Sequence, residues 1–115
     1  MDIDLFGIAN CDTMKKARAW LTARGLDYRF HDYKKEGVDR RLLEAWCDAA
    51  GWETLLNRRG TTWRRLSEAE REGVDKDRAM DLMVAHPSLI KRPVLVAGDA
   101  VEVGFSEARY RELCA

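Results

Sequence analysis

Ile3-Asp4-Leu5-Phe6-Gly7-Ile8 is a short, mostly apolar run near the start of the chain, the pattern of a buried strand. Ala9-Asn10-Cys11-Asp12-Thr13 then turns the chain, and Asp12 or Thr13 is placed to cap a helix. The apolar side of that helix runs Met14, Ala17, Trp20 and Leu21, and Gly25 closes it. Tyr28-Arg29-Phe30-His31-Asp32 alternates as a second strand does. Asp39 caps a further helix with Leu42, Leu43, Ala45, Trp46 and Ala49 as apolar positions, ended by Gly51. Trp52 to Leu56 reads as one short turn before the loop Asn57-Arg58-Arg59-Gly60. Ser67-Glu68-Ala69-Glu70 has the spacing of a capping box. A helix from about Asp75 carries Ala79, Leu82, Met83 and Ala85, and Pro87 ends it. Val94-Leu95-Val96 and Val101-Glu102-Val103 flank Ala97-Gly98-Asp99-Ala100 as a β-hairpin, and Ser106 caps a last helix reaching about Cys114.

The order is βαβ, a helical middle, then ββα. A βαβ unit places its strands parallel with a right-handed crossover, and the hairpin completes a four-stranded mixed sheet covered by the first and last helices. The expected fold is therefore α/β and thioredoxin-like, with a helical insertion over about residues 37–88 between its halves. All of residues 1–115 form one domain in this reading, with no repeat, linker or low-complexity stretch.

Composition narrows the function. Twenty basic residues offset twenty acidic ones, so the cationic excess that phosphate binding needs is missing, and no direct nucleic-acid contact is expected. No apolar run approaches the roughly 18 residues that span a bilayer. The acidic start Met1-Asp2-Ile3-Asp4 is not a signal peptide, so a cytoplasmic setting is expected, with no membrane partner. Cys11, Cys47 and Cys114 are then free thiols, and each is either packing or chemistry.

Cys11 follows a predicted strand and precedes a predicted helix, where free N–H groups and the helix dipole favour an anion. A thiol with a free pKa of about 8.5 is lowered to roughly 3.5–7.5 in such settings. Lys15 and Lys16 add positive charge if they face the site. Two readings stand side by side: an activated nucleophile, or a small thiol filling the strand–helix junction. Met14 occupies the position where a Cys-x-x-Cys pair needs its second thiol, which excludes an internal disulfide at the helix start. Cys47 beside Trp46 reads as core, and Cys114 as an exposed thiol at a frayed helix end. Pro93 either simply starts its strand or forms a cis bond that turns the backbone toward Cys11, with Arg92 charging a bound anion. Arg58 and Arg59 are either solvated or a clamp for an oxyanion or carboxylate, and Gly60-Thr61-Thr62 either binds an anion or forms a turn. His31 reads as structural and His86 suits a helix end; neither has metal-ligand company. No Gly-rich phosphate loop or Ser-His-Asp order is present, so neither metal nor nucleotide is expected.

Four segments together carry a resemblance: Gly7 through Ala17, Leu56-Asn57-Arg58-Arg59-Gly60-Thr61-Thr62, Ile90-Lys91-Arg92-Pro93, and Gly104-Phe105-Ser106. They resemble the arsenate reductase (ArsC-like) family, which includes the Spx transcription regulators, over nearly the whole chain. The resemblance implies a thioredoxin-like fold with a helical insertion, Cys11 as nucleophile and Arg92-Pro93 as an arginine–cis-proline step. It also implies that Arg58 or Arg59 holds an anion, although a gapless register places Asn57 there. Asn10, Asp12, Thr13, Lys15, Gly60, Thr61 and Pro93 are then expected to line the substrate or glutathione site.

The departures are informative. The arsenate reductases place a further arginine just before the last helix, where this chain has Gly104-Phe105, which argues against arsenate as the natural substrate. Met14 likewise argues against an Spx-type disulfide switch. The expected activity is a glutathione-dependent thiol reductase with a single nucleophilic cysteine, glutathione being the co-substrate and glutathione or a glutaredoxin the resolving partner. The rival expectation is a non-enzymatic, Spx-like regulator that contacts RNA polymerase.

Overall fold

The computed structural model describes residues 2–114. They divide into two compact units, residues 2–36 with 92–114, and residues 37–91. The first holds a four-stranded sheet in the order β2-β1-β3-β4. β1 (Ile3–Gly7) runs parallel to β2 (Arg29–Asp32), with Leu5 opposite Phe30, and antiparallel to β3 (Val94–Ala97), with Leu5 opposite Leu95. β3 pairs antiparallel with β4 (Ala100–Val103). Gly98, at φ +60°, supplies the left-handed residue that this two-residue hairpin turn requires. The sheet is mixed, its halves are βαβ and ββα, and the fold is α/β and thioredoxin-like.

Alternation along β1 puts Ile3, Leu5 and Gly7 on the buried face. Against Ile3, Leu5, Leu95 and Ala97 pack Met14, Ala17 and Leu21 of α1 (Asp12–Ala23) together with Tyr110 and Cys114 of α8 (Glu107–Cys114). Leu5 and Leu21 are fully buried, each stabilising the fold by about 1.5–3 kcal/mol relative to an exposed leucine. Cys114 corrects the expectation of an exposed terminal thiol: it is only 7% exposed, because α8 lies along the sheet and turns its last residues inward. Elsewhere in the sheet Phe6 stacks on His31 at 4.5 Å. The Asp4 carboxylate accepts two hydrogen bonds from Arg29, at 2.8 and 3.0 Å, and lies 2.8 Å from His31 Nε2.

β2 leads directly into a one-turn helix, α2 (Tyr33–Glu36), that the sequence pattern does not announce. Asp32 builds it: its Oδ1 accepts from the N–H groups of Lys34 (3.0 Å) and Lys35 (3.3 Å). That turn carries the Tyr33 side chain inward, to 1% exposure.

The second unit is helical. α3 (Arg40–Ala50) is capped by Asp39, which accepts from Arg41 N–H at 2.7 Å, and Gly51 at φ +90° follows its end. Its buried stripe is Leu43, Trp46 and Cys47; Ala45 and Ala49, expected on the apolar side, are exposed because they fall a quarter-turn or more off that stripe. Three short helices follow, α4 (Trp52–Leu55), α5 (Thr61–Arg65) and α6 (Glu68–Arg71), the last opened by the Ser67–Glu70 capping box. α7 (Lys76–Ala85) starts at Asp75, which accepts from Arg78 N–H, and buries Ala79, Met80, Leu82 and Met83, while Ala85 is exposed. A 3₁₀ turn (Pro87–Leu89) precedes an isolated antiparallel bridge between Leu56 and Ile90. Two backbone bonds flank that bridge, Asn57 N–H to Leu89 O (2.7 Å) and Lys91 N–H to Leu55 O (2.8 Å). Among the described residues no helix is long and apolar enough to cross a membrane.

Gly7 is required where β1 meets α1. A Cβ there would overlap the Sδ and Cε atoms of the fully buried Met14. Gly7→Ala is therefore expected to destabilise the fold by about 1–3 kcal/mol, the usual cost of overpacking, read as a lower urea midpoint at unchanged slope.

Candidate active site

Cys11 sits where an extended strand becomes a helix. Its own backbone is still extended, at φ −146° and ψ 132°, while its carbonyl accepts the first bond of α1 from Lys15 N–H at 3.0 Å. Cys11, not Asp12 or Thr13, is thus the capping residue; Asp12 and Thr13 lie inside the first turn. The half-buried sulfur takes the place of a capping oxygen, without a cap hydrogen bond of ordinary geometry. It faces the N–H groups of Thr13 and Met14, donors that the helix leaves unpaired.

The second element is the entry to β3. The Arg92-Pro93 peptide bond is cis, and Pro93 is buried. The Pro93 carbonyl accepts from Gly104 N–H at 2.8 Å, which ties this bend to the end of β4. Gly104 itself lies at φ +85°, a conformation that side chains disfavour. The half-buried Arg92 guanidinium interacts electrostatically with both the Cys11 sulfur and the Tyr33 hydroxyl. Its Nε is buried and has no protein partner among the described residues. Cys11, Arg92 and Tyr33 thus form one constellation, from the start of α1, the approach to β3 and the turn after β2.

Charge is distributed unequally over the three. Partial burial opposes the Cys11 thiolate, but the Met14 N–H, the Arg92 guanidinium and the Thr13 N–H outweigh it and hold the thiol below its ordinary pKa. Burial pushes the Tyr33 phenol up to about 12, although the Arg92 charge pulls the other way. Burial also works against the Arg92 cation, yet its bond to Cys11 and the proximity of Tyr33 leave it more firmly protonated than a free arginine. The site thus combines a cation, a phenol whose ionisation burial opposes, and a thiol whose pKa is lowered. The other two thiols are the reverse case, since burial raises the pKa of both Cys47 and Cys114.

The remaining expected residues are placed as follows. Asn10 is exposed in the bend after β1, Asp12 and Lys15 are exposed on the first turn of α1, and Thr13 is half-buried. In the helical unit, Arg58 is exposed with its guanidinium 5.3 Å from the Trp52 ring centre and 5.9 Å from that of Trp63. Arg59 is exposed, and its N–H donates to Asn57 Oδ1 at 3.0 Å. Gly60 is the residue before α5 and Thr61 its first residue, so this stretch starts a helix. Arg58, Arg59 and Lys91 line a recess of about 390 Å³ together with Glu53 and Leu56. Lys91 and Tyr33 are the residues that sequence reasoning did not single out. Nothing in the sequence pattern announces the turn built by Asp32 that buries Tyr33, nor the electrostatic interaction of Tyr33 with an arginine from the far end of the chain. No group of three or more potential metal ligands occurs among the described residues.

The ArsC family model matches residues 6–113. The solved structure of the YFFB (PA3664) protein superposes with a TM-score of 0.95 at 50% identity, covering 98% of this chain and 99% of that one. A protein related to arsenate reductase (ArsC) from Brucella melitensis gives 0.76 at 52% identity, covering 97% and 93%. The global transcriptional regulator Spx of Streptococcus pyogenes is 26% identical over 111 residues, which is 95% of this chain and 82% of that protein.

Alkylation with iodoacetamide as a function of pH is expected to show a reactive limb below the free-thiol value of about 8.5 for Cys11, with Cys47 and Cys114 unreactive in the folded protein. Arg92→Ala removes a cation that stabilises the thiolate, so the limb moves upward, by about one unit if about 1.4 kcal/mol is lost. A Cys11 that titrates as a free thiol and ignores Arg92→Ala contradicts this site.

Proposed function

The chain belongs to the ArsC family, and on that premise we propose that it is a glutathione-dependent thiol reductase acting through Cys11. The observation that carries the reading is the sulfur at the start of α1, whose pKa two backbone N–H groups and the Arg92 guanidinium hold below its ordinary value. A thiolate is the attacking form in disulfide exchange. The Cys11 thiolate attacks the glutathione sulfur of a mixed disulfide, forming a Cys11–glutathione disulfide and releasing the other thiol, which takes a proton from water. A second glutathione thiolate then attacks the glutathione sulfur of that adduct, leaving oxidised glutathione and restoring the Cys11 thiolate. The balance is one mixed disulfide and one glutathione converted to one free thiol and oxidised glutathione. Arg92 stabilises Cys11 both as attacking anion and as departing thiolate.

Met14 supports external resolution, because it leaves no second thiol one turn along the helix. In the first unit Asn10, Thr13 and Lys15 are candidate binding residues; in the second, Arg58 and Arg59 with Lys91 suit the carboxylates of an anionic partner such as glutathione, with Gly60 and Thr61 next in sequence. Gly104 speaks against arsenate. Its φ of +85° and its N–H bond to Pro93 are backbone requirements, and an arginine placed there carries strain of about 1–3 kcal/mol.

The likeness to Spx supports a second reading, a regulator that contacts RNA polymerase. The two separate in one pair of experiments. With glutathione, NADPH and glutathione reductase, the reductase turns over a mixed disulfide of glutathione and a small thiol; Cys11→Ser abolishes this, and Arg92→Ala slows it about tenfold. Absence of turnover with any such acceptor, together with RNA polymerase retention that survives Cys11→Ser, overturns the enzyme in favour of the regulator.

A further inference from the structure

We propose that the recess beside Arg58, Arg59 and Lys91 takes the α-amino carboxylate end of an anionic small molecule, its carboxylate held by the cations and its ammonium by Glu53. Where that molecule is glutathione, the inference rests on the reductase reading and adds which end of the tripeptide is held, the γ-glutamyl one.

Three observations lead to it. The recess, about 390 Å³, has the size of a small-molecule site and lies wholly within residues 37–91. Its cations are placed by the fold. The Arg58 guanidinium stands 5.3 Å from the Trp52 ring centre and 5.9 Å from that of Trp63, within cation–π range of both. Arg59 N–H is bound to Asn57 Oδ1 at 3.0 Å. The bridge between Leu56 and Ile90 brings Lys91 alongside, its N–H on Leu55 O at 2.8 Å. Third, a carboxylate shares the wall: Glu53, exposed in the first turn of α4.

Glu53 decides the ligand class. A recess built for a simple anion, such as phosphate or a dicarboxylate, is weakened by a carboxylate in its lining, because like charges repel. A ligand with an ammonium next to its carboxylate turns the same group into a partner. Three cations and one carboxylate complement a ligand with more negative groups than positive ones. Glutathione and glutamate both fit, with two carboxylates and one ammonium. Leu56, the apolar member of the lining, suits the methylene chain between those groups. An Arg58 already set against two rings loses less freedom when the ligand binds.

The test is a cycle between Glu53 and the ammonium of the ligand, followed by the indole N–H signals of Trp52 and Trp63 in an NMR titration, which also locates the ligand. The probes are S-methylglutathione, whose thioether cannot exchange with Cys11, its N-acetyl derivative, which lacks the ammonium, and free glutamate. In the wild type, S-methylglutathione is expected to shift both indole signals, and the N-acetyl derivative to bind about three- to fivefold more weakly. Glu53→Gln changes an exposed residue and leaves the core untouched. It is expected to weaken S-methylglutathione by the same factor and to bind the N-acetyl derivative at least as tightly as the wild type, since a like charge is gone. Equal effects of Glu53→Gln on the two ligands, whatever their sign, overturn the proposal. So does the absence of indole shifts with S-methylglutathione and glutamate alike. Glutamate separates the sources: Glu53-dependent binding as tight as that of S-methylglutathione supports a free amino acid, and weaker binding supports the tripeptide. The two levels also separate. S-methylglutathione that binds without Glu53 dependence rejects the recess and leaves the reductase standing, whereas Glu53-dependent binding without turnover of any mixed disulfide rejects the reductase and leaves the recess.

Discussion

The sulfur of Cys11 is exposed to two opposing influences, burial on one side and the donors and charge around it on the other. Burial disfavours a thiolate; helix N–H groups and Arg92 favour it, and together they prevail. The N–H groups come with the helix and cost nothing further to position. Arg92 is different, because it arrives from the other half of the fold and must be aimed. The turn before β3, the Gly104 bond to the Pro93 carbonyl, and the central place of β3 beside β1 bring it to the start of α1. The ββα half of the chain is thus as necessary to the thiolate as the βαβ half that contains it.

Sequence patterns were informative wherever the cause of structure is local. The Ser67–Glu70 capping box, the Asp39 and Asp75 caps and the Gly98 hairpin turn are each decided within a few residues, and each forms. The apolar run of β1 likewise marked a strand, and the four-stranded mixed sheet followed from the βαβ and ββα succession. Cys114 shows the limit: from its place in the chain it reads as an exposed end, and only the packing of α8 onto the sheet buries it. Tyr33 shows a second limit. A one-turn helix has too few residues for periodicity, and the turn that aims Tyr33 depends on one side chain, Asp32. Lys91 is a third case, since it joins Arg58 and Arg59 only through the bridge between Leu56 and Ile90.

The three cysteines separate by environment. Cys47 and Cys114 lie in apolar surroundings that raise their pKa, so neither competes with Cys11 as a thiolate. Such burial also makes them poor resolving thiols, because resolution requires an anion with access to the adduct. Cys114, at 7% exposure in the core between α8 and the sheet, lacks that access in the folded state.

Met14 and Gly7 are matched to one another by packing. Met14 occupies the position of a second thiol, and its side chain is fully buried against Gly7, with no room left for a Cβ on the glycine. A cysteine at position 14 would be shorter than the methionine and would leave a void beside the strand, with the cavity cost that large-to-small core changes carry. The methionine therefore completes the packing between β1 and the first turn of α1, whose N–H groups support the Cys11 anion. A two-thiol site would have to give up part of that packing to gain its disulfide.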